Sequence, residues 1–287
     1  VCNSLRNTDY AERQSGGMKM KFRYLCDSHI HTDCSRDGAD PAMMMCESAA
    51  RLGFYAVTIT DHCECNAYYS ERYDRSIRQS YFEAHKASAA FSGRLGVLSG
   101  VEIGQPLQDE TAAADILDAC EFDFVLASVH NVKGEKDFLE LDYAAADLDR
   151  ILERYFDELS ETIEWGRFDS LAHLTYPWRY LAERSIPFDE KRWSGRVDSV
   201  LRQLIAKGRA LELNTSGFRQ KIGVSMPDLP VVSRYREYGG KLITIGSDAH
   251  RWADVGAGVE QGLELLRRAG FHHYTCLLYT SPSPRDQ

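Results

Sequence analysis

The chain has 287 residues, 44% of them hydrophobic and 11% aromatic, enough apolar material to bury a sizeable core as one large domain or two small ones. Its 43 acidic and 34 basic side chains leave a formal charge of −9, and no Lys/Arg-rich block breaks that balance; the footprint of a general nucleic-acid binder is missing, and small-molecule substrates are favoured. Eight cysteines without a repeated spacing, no run of about 18 apolar residues and no basic-then-apolar leader read as a cytoplasmic protein with reduced thiols, neither membrane-spanning nor exported.

Residues 1–17 are polar and patternless and read as a leader foreign to the fold, with Met18 or Met20 as natural starts before the first apolar run. Seven short apolar runs bounded by turn residues come next, at 24–30, 54–60, 96–101, 123–129, 170–172, 210–213 and 242–245, and each reads as a strand. Their near-continuous hydrophobicity suits parallel strands covered on both faces. Between them lie helical stripes: Ile151, Leu152, Tyr155, Phe156, Leu159 and Ile163, then Val197, Val200, Leu201, Leu204 and Ile205, the second stopping at Gly208. Strand–helix alternation predicts an α/β protein, and seven units in one domain favour a barrel over an open doubly wound sheet. The barrel domain spans 18–275; residues 276–287, with their Ser-Pro-Ser-Pro run, are set aside as a sequencing scar.

The polar residues at the end of each strand carry the chemistry. In order, the ends read His29-Ile30-His31, Thr60-Asp61-His62, Glu102, His130, His173, Asn214 and Asp248-Ala249-His250, which is six of the nine histidines. In a parallel barrel these ends open onto one face, where active sites form. A His-x-His pair on a strand puts both rings on the same side, because side chains alternate with period two. So many imidazoles and carboxylates in one mouth would cost stability unless divalent metals compensated them, and mixed N/O ligands suit zinc, iron or manganese. Cys63 and Cys65 read as free loop thiols, His85 as part of a solvated helix face, and His272-His273 receives no role. No Gly-x-Gly-x-x-Gly, Walker-type or Gly-x-Ser-x-Gly motif occurs, which removes nucleotide-cofactor and serine-hydrolase readings.

With these strand ends in view, the residues resemble the PHP (polymerase and histidinol phosphatase) family of metal-dependent phosphoesterases. The resemblance is carried by Asp27-Ser28-His29-Ile30-His31-Thr32, Ile59-Thr60-Asp61-His62, Gly100-Val101-Glu102, Ala127-Ser128-Val129-His130 and Gly246-Ser247-Asp248-Ala249-His250. Within the family the segments 211–219 and 238–244 are similar to monofunctional histidinol-phosphate phosphatases of the HisJ/HisK type. The resemblance implies a distorted (β/α)7, TIM-barrel-like fold with a trinuclear divalent cluster at the C-terminal strand ends. One metal would take His29, His31, Glu102 and Asp248; a second would share Glu102 and add His130 and His173; a third would use Asp37, His62 and His250. Asp37 stands where family members often have histidine, and Asp61 is expected to orient its neighbours.

The implied reaction is hydrolysis of a phosphate monoester, L-histidinol phosphate, to the alcohol and inorganic phosphate without a phosphoenzyme, with Asp248, His250 and Glu102 as catalytic residues. Arg219 and Arg179 lie on loops of the correct face to grip phosphate, with Lys221 as a third choice. The second βα loop (63–80) offers Glu64, Tyr68, Tyr69, Glu71 and Tyr73 as specificity groups. Two alternatives stay open: a PHP phosphoesterase acting on nucleotides or nucleic-acid ends, and a non-catalytic metal-dependent binding module.

Overall fold

Each apolar run of the sequence becomes a parallel strand, and the segments between supply the helices that pack on them. The computed structural model describes residues 2–4, 22 and 24–276. In chain order the elements are β1 (Cys2–Ser4), β2 (Cys26–Ile30), α1 (Ala42–Arg51), β3 (Ala56–Ile59), β4 (His62–Glu64), α2 (Tyr73–Ala90), β5 (Gly96–Gly104), α3 (Glu110–Ala119) and β6 (Phe124–Ser128). Then come α4 (Leu148–Trp165), β7 (Ser170–Leu171), α5 (Tyr176–Glu183), α6 (Ser194–Lys207), β8 (Ala210–Asn214), α7 (Leu229–Glu237), β9 (Ile243–Gly246), α8 (Val259–Arg268) and β10 (His273–Thr275).

The sheet runs β2-β3-β5-β6-β7-β8-β9, every neighbouring pair parallel. Its two edges meet just past the strand ends, where His31 N donates to Ala249 O (2.8 Å) and Asp248 N donates to His29 O (2.8 Å). The expected seven-unit barrel is therefore the observed one. The stripe on α4 is buried, as are Val197, Val200, Leu201 and Leu204 on α6. Each fully buried aliphatic side chain of this kind contributes about 1.5–3 kcal/mol. Gly208 ends α6 at φ 63°, a left-handed conformation that glycine adopts without steric cost. Among the described residues no helix is long and apolar enough to cross a membrane.

Three boundaries differ from the sequence expectation. The second strand breaks at Thr60-Asp61 and resumes as β4, so β3 pairs with the first half of β5 and β4 with the second, His62 opposite Glu102 and Glu64 opposite Gly104. Strand β5 accordingly runs to Gly104 rather than 101. Cys63 and Cys65 are free thiols as expected, but not loop residues open to solvent: Cys63 lies on β4, on the opposite face from His62 and Glu64, Cys65 opens the short 3-10 turn that follows, and both are buried in the hydrophobic core. Finally, β10 pairs antiparallel with β1, whose residues fall inside the stretch read as a leader. Of the segments 1–17 and 276–287, all but 2–4 and 276 lie outside the described residues.

The seam between β2 and β9 is clasped by a buried carboxylate. Asp27 accepts from Ser247 N (2.8 Å), Ser247 Oγ (2.5 Å) and Gly256 N (2.9 Å). Removing it leaves three donors unsatisfied in the interior, each a desolvation cost. We predict that Asp27→Ala lowers the unfolding free energy by about 3 kcal/mol, read by urea denaturation in the presence of a chelator; a midpoint equal to that of the unmodified chain would contradict the clasp.

Candidate metal centre

The centre is assembled from the ends of six barrel strands and the loops that leave them. His29 and His31 have the spacing of one strand face, are fully buried, and bring their Nε2 atoms within 2.9 Å of each other. Glu102, inward-facing on β5, splits its two oxygens between neighbours. Oε2 lies 3.3 Å from His29 Nε2, 3.5 Å from His31 Nε2 and 3.0 Å from His62 Nδ1; Oε1 lies 3.1 Å from His130 Nε2 and 2.9 Å from His173 Nε2. Asp248 Oδ1 stands 3.4–3.6 Å from nitrogens of His31, His29 and His250. Asp37 reaches His250 Nε2 (3.0 Å) and His62 Nε2 (3.7 Å) from the loop after β2. Three donor groups result, His29/His31/Asp248, His62/Glu102/His130 and His31/His62/His250, each with its donor atoms within 4.8 Å of one another.

The donors suit metal ions better than they suit each other. His62 Nδ1 and His250 Nε2 are buried with no hydrogen-bond partner among the described residues, although a carboxylate oxygen lies 3.0 Å from each. The approach of each ring to that oxygen is not that of a hydrogen bond. Two imidazole pairs, His29/His31 and His130/His173, present nitrogen to nitrogen at 2.9 and 3.3 Å. Borderline imidazole nitrogens with hard carboxylate oxygens are the donor set of zinc, iron or manganese. Burial works against every charge here. For His29 it is outweighed by Glu212, Glu102 and Asp248, which hold the imidazole pKa well above its usual range, whereas His31, buried beside His250 and His62, is held well below it.

An outer layer fixes the rings. His29 Nδ1 lies 2.6 Å from Glu212 Oε1, and the other Glu212 oxygen accepts from His173 N at 2.8 Å. His130 Nδ1 lies 2.9 Å from Glu64 Oε1, while Gln105 donates to Glu64 Oε2 (2.5 Å) and accepts from His130 N (2.8 Å). With Nδ1–H directed at these carboxylates, the Nε2 lone pairs face the centre. Asp61, expected to orient its neighbours, accepts from Thr32 N, Thr32 Oγ1, Ser35 Oγ and Ser80 Oγ at 2.5–2.7 Å, holding the turn that carries His31. Asp248 (φ 54°) and His173 (φ 21°) both occupy the sparsely populated left-handed region, strain that the surrounding network sustains.

All nine expected ligands meet here, Asp37 included. Glu212 was not expected. Its signal was a charged residue inside an apolar strand, in phase with Asn214 and so directed to the same face. Glu64 moves from the specificity rim to the histidine network because β4 extends the second strand.

A cavity of 790 Å³ opens over the centre. Arg179 and Arg219 both line it. Arg219 donates to Ser247 O (2.9 Å) and Asp248 O (3.3 Å), strapping the turn that presents Asp248. Arg179 lies over the Tyr180 ring and makes no hydrogen bond among the described residues. Lys221 is spent on Glu183 O and Ser185 Oγ and does not line the cavity. Of the five second-loop residues, Glu64, Glu71 and Tyr73 line it, with Glu71 paired to Arg36. Tyr68 instead turns into the core to donate to Asp115 (2.6 Å), and Tyr69 points outward, 62% exposed. His85 is exposed on α2, its Nδ1 2.8 Å from Tyr81 O; His272 and His273 are exposed at the barrel's far periphery, on or beside β10.

The PHP domain model matches residues 27–216. The chain is 29% identical over 243 residues to a probable histidinol-phosphatase of Clostridium acetobutylicum, covering 83% of this chain and 91% of that one. It is 29% identical over 256 residues to a histidinol-phosphatase of Lactococcus lactis subsp. lactis, covering 86% and 91%. The fold matches the crystal structure of histidinol phosphate phosphatase from the same Lactococcus, complexed with zinc, L-histidinol and phosphate, with a TM-score of 0.72, 21% identity and coverage of 87% of this chain and 95% of that one.

Two substitutions test the geometry. A Cβ at Gly246 would collide with His29 Cβ and come within 2.6 Å of Glu212 Oε1. We predict that Gly246→Ala and Glu212→Gln each weaken zinc or manganese binding about 10–100-fold, the usual effect of disturbing a ligand's hydrogen-bond partner, while the far-ultraviolet circular dichroism stays unchanged. Unaltered affinity in competition titrations would contradict the placement of His29.

Proposed function

The chain belongs to the PHP domain family, matched over residues 27–216, and from that premise we propose that it is a metal-dependent phosphomonoesterase that hydrolyses L-histidinol phosphate to L-histidinol and inorganic phosphate. The observation that carries the catalytic reading is Glu102, whose two oxygens face two separate groups of imidazoles at hydrogen-bonding range. A carboxylate shared in this way is what adjacent metal positions require. The substrate is supported by the names of the relatives and by a cavity whose wall carries both arginines and acidic side chains.

In this reading His29, His31, Glu102 and Asp248 would hold one ion, Glu102, His130 and His173 a second, and Asp37, His62 and His250 a third. The chemistry such ions supply is a lowered pKa for water near neutral pH and neutralisation of charge on phosphoryl oxygens. Glu102, Asp248 and His250 are catalytic as the side chains that fix the reacting positions. Arg179 contributes an uncommitted guanidinium for bidentate contact with the phosphate. Arg219 acts at the same wall while its remaining N–H groups hold the carbonyls of Ser247 and Asp248 in place.

The serine hydroxyls of the turns that carry His31 and Asp248 are engaged elsewhere. Ser247 Oγ donates to Asp27 and Ser35 Oγ to Asp61, each buried. That arrangement favours attack by water, without a phosphoenzyme. The 790 Å³ cavity has the volume of a small-molecule site.

Phosphate release from L-histidinol phosphate is the test. The purified chain is expected to turn over and to lose activity on chelation, with recovery on adding back zinc or manganese. His29→Ala and Asp248→Ala should abolish turnover and lower metal content; Arg179→Ala should raise KM about tenfold or more, the scale of a lost charge-assisted contact. Normal turnover in the first two variants, or activity indifferent to chelation, would sink the proposal.

A further inference from the structure

Six carboxylates line the cavity besides the proposed ligands: Glu64, Glu71, Glu135, Asp137, Glu140 and Asp254. Four already have a cationic or imidazole partner. Glu64 is held by His130, Glu71 by Arg36, Glu135 by Arg150 at 3.0 Å and Asp254 by Arg219 at 3.8 Å. Glu140 is exposed to water. Asp137 alone is half-buried with no cation within ion-pair distance among the described residues, its neighbour Lys136 included.

Its place is as telling as its lack of a partner. Oδ1 accepts from Leu139 N (2.6 Å) and from the Tyr176 hydroxyl (3.4 Å), whereas Oδ2 has no hydrogen-bond partner among the described residues. The Tyr176 ring in turn packs on His130 and His173, at centroid distances of 4.9 and 4.8 Å. One aromatic ring therefore separates the carboxylate from two imidazoles of the centre. Burial already works against the charge, pushing the pKa of Asp137 up. A half-buried carboxylate has lost part of its hydration, and a cation that arrives with the substrate offsets that loss through a charge-assisted hydrogen bond.

Resting on the phosphomonoesterase reading and deepening it, we propose that Asp137 is a specificity-determining residue whose Oδ2 accepts a hydrogen bond from a cationic nitrogen, ammonium or imidazolium, on the alcohol portion of the phosphate ester. Substrates whose leaving alcohol carries such a nitrogen are selected over esters of uncharged alcohols. Recognition sits on the long loop between β6 and α4, while phosphate capture sits on α5 and the loop after β8.

The test is a ratio. Steady-state kcat/KM is measured for L-histidinol phosphate and for phenyl phosphate, in the metal-loaded enzyme and in Asp137→Asn and Asp137→Glu. Asn keeps the acceptor for Leu139 N and removes the charge. The ratio for L-histidinol phosphate over phenyl phosphate should fall about tenfold or more in Asp137→Asn, chiefly through KM, and recover in part in Asp137→Glu. An unchanged ratio, whether both activities fall together or neither moves, overturns the assignment. A parent enzyme that cleaves phenyl phosphate but not L-histidinol phosphate overturns the substrate reading itself, a result distinct from a failure at Asp137.

Discussion

Glu102 is buried at the mouth of the barrel with imidazole nitrogens around both of its oxygens, and the surrounding structure can be understood as what it takes to keep it there. An ionised carboxylate in that position is tolerable only with positive charge close on each side. The imidazoles provide part of it, and their own burial is opposed by desolvation, so two of them are backed by a carboxylate: Glu212 behind His29 and Glu64 behind His130. Those partners need donors too, and find them in His173 N and Gln105. The polar network thus propagates outward from one side chain until it reaches backbone.

Such a network tolerates little movement, which explains why the barrel closes where it does. The β2–β9 seam carries His29 and His31 on one side and Asp248 and His250 on the other, and the two bonds that join it, His31 N to Ala249 O and Asp248 N to His29 O, come from the peptides of these residues and of Ala249 between the last two. Asp27 clamps the seam from below. Gly246 leaves the space that the His29 and Glu212 side chains fill. The bonds that close the barrel therefore also position the site: the left-handed Asp248 is held by its N–H to His29 O, and the left-handed His173 by its own N–H to Glu212 Oε2.

Much of this was legible in the sequence because it depends on periodicity. Strand runs, helical stripes and polar residues placed just past each strand end are local patterns, and a parallel barrel converts them into a shared face. The residues that escaped are those whose role depends on register. Glu64 looked like a loop acid because nothing in Thr60-Asp61-His62-Cys63-Glu64 announces that the strand resumes after a break; only its pairing with β5 reveals that. Glu212 sat in plain view on a strand, but its partner lies 183 residues away in the chain. The aromatic character of Tyr68 suggested a rim, whereas packing carried it inward to Asp115. Arg179 and Arg219 could be placed on the correct face, yet which one has N–H groups to spare is settled by tertiary contacts alone.

That these nine side chains hold a cluster of metal ions is tested most directly by anomalous diffraction from crystals of the purified protein, collected above and below the zinc, iron and manganese edges. Three strong anomalous peaks are expected at the strand ends, one among His29, His31, Glu102 and Asp248, one among Glu102, His130 and His173, and one among Asp37, His62 and His250. A map with no anomalous density there under saturating metal, with the imidazoles still packed nitrogen to nitrogen, would contradict the cluster.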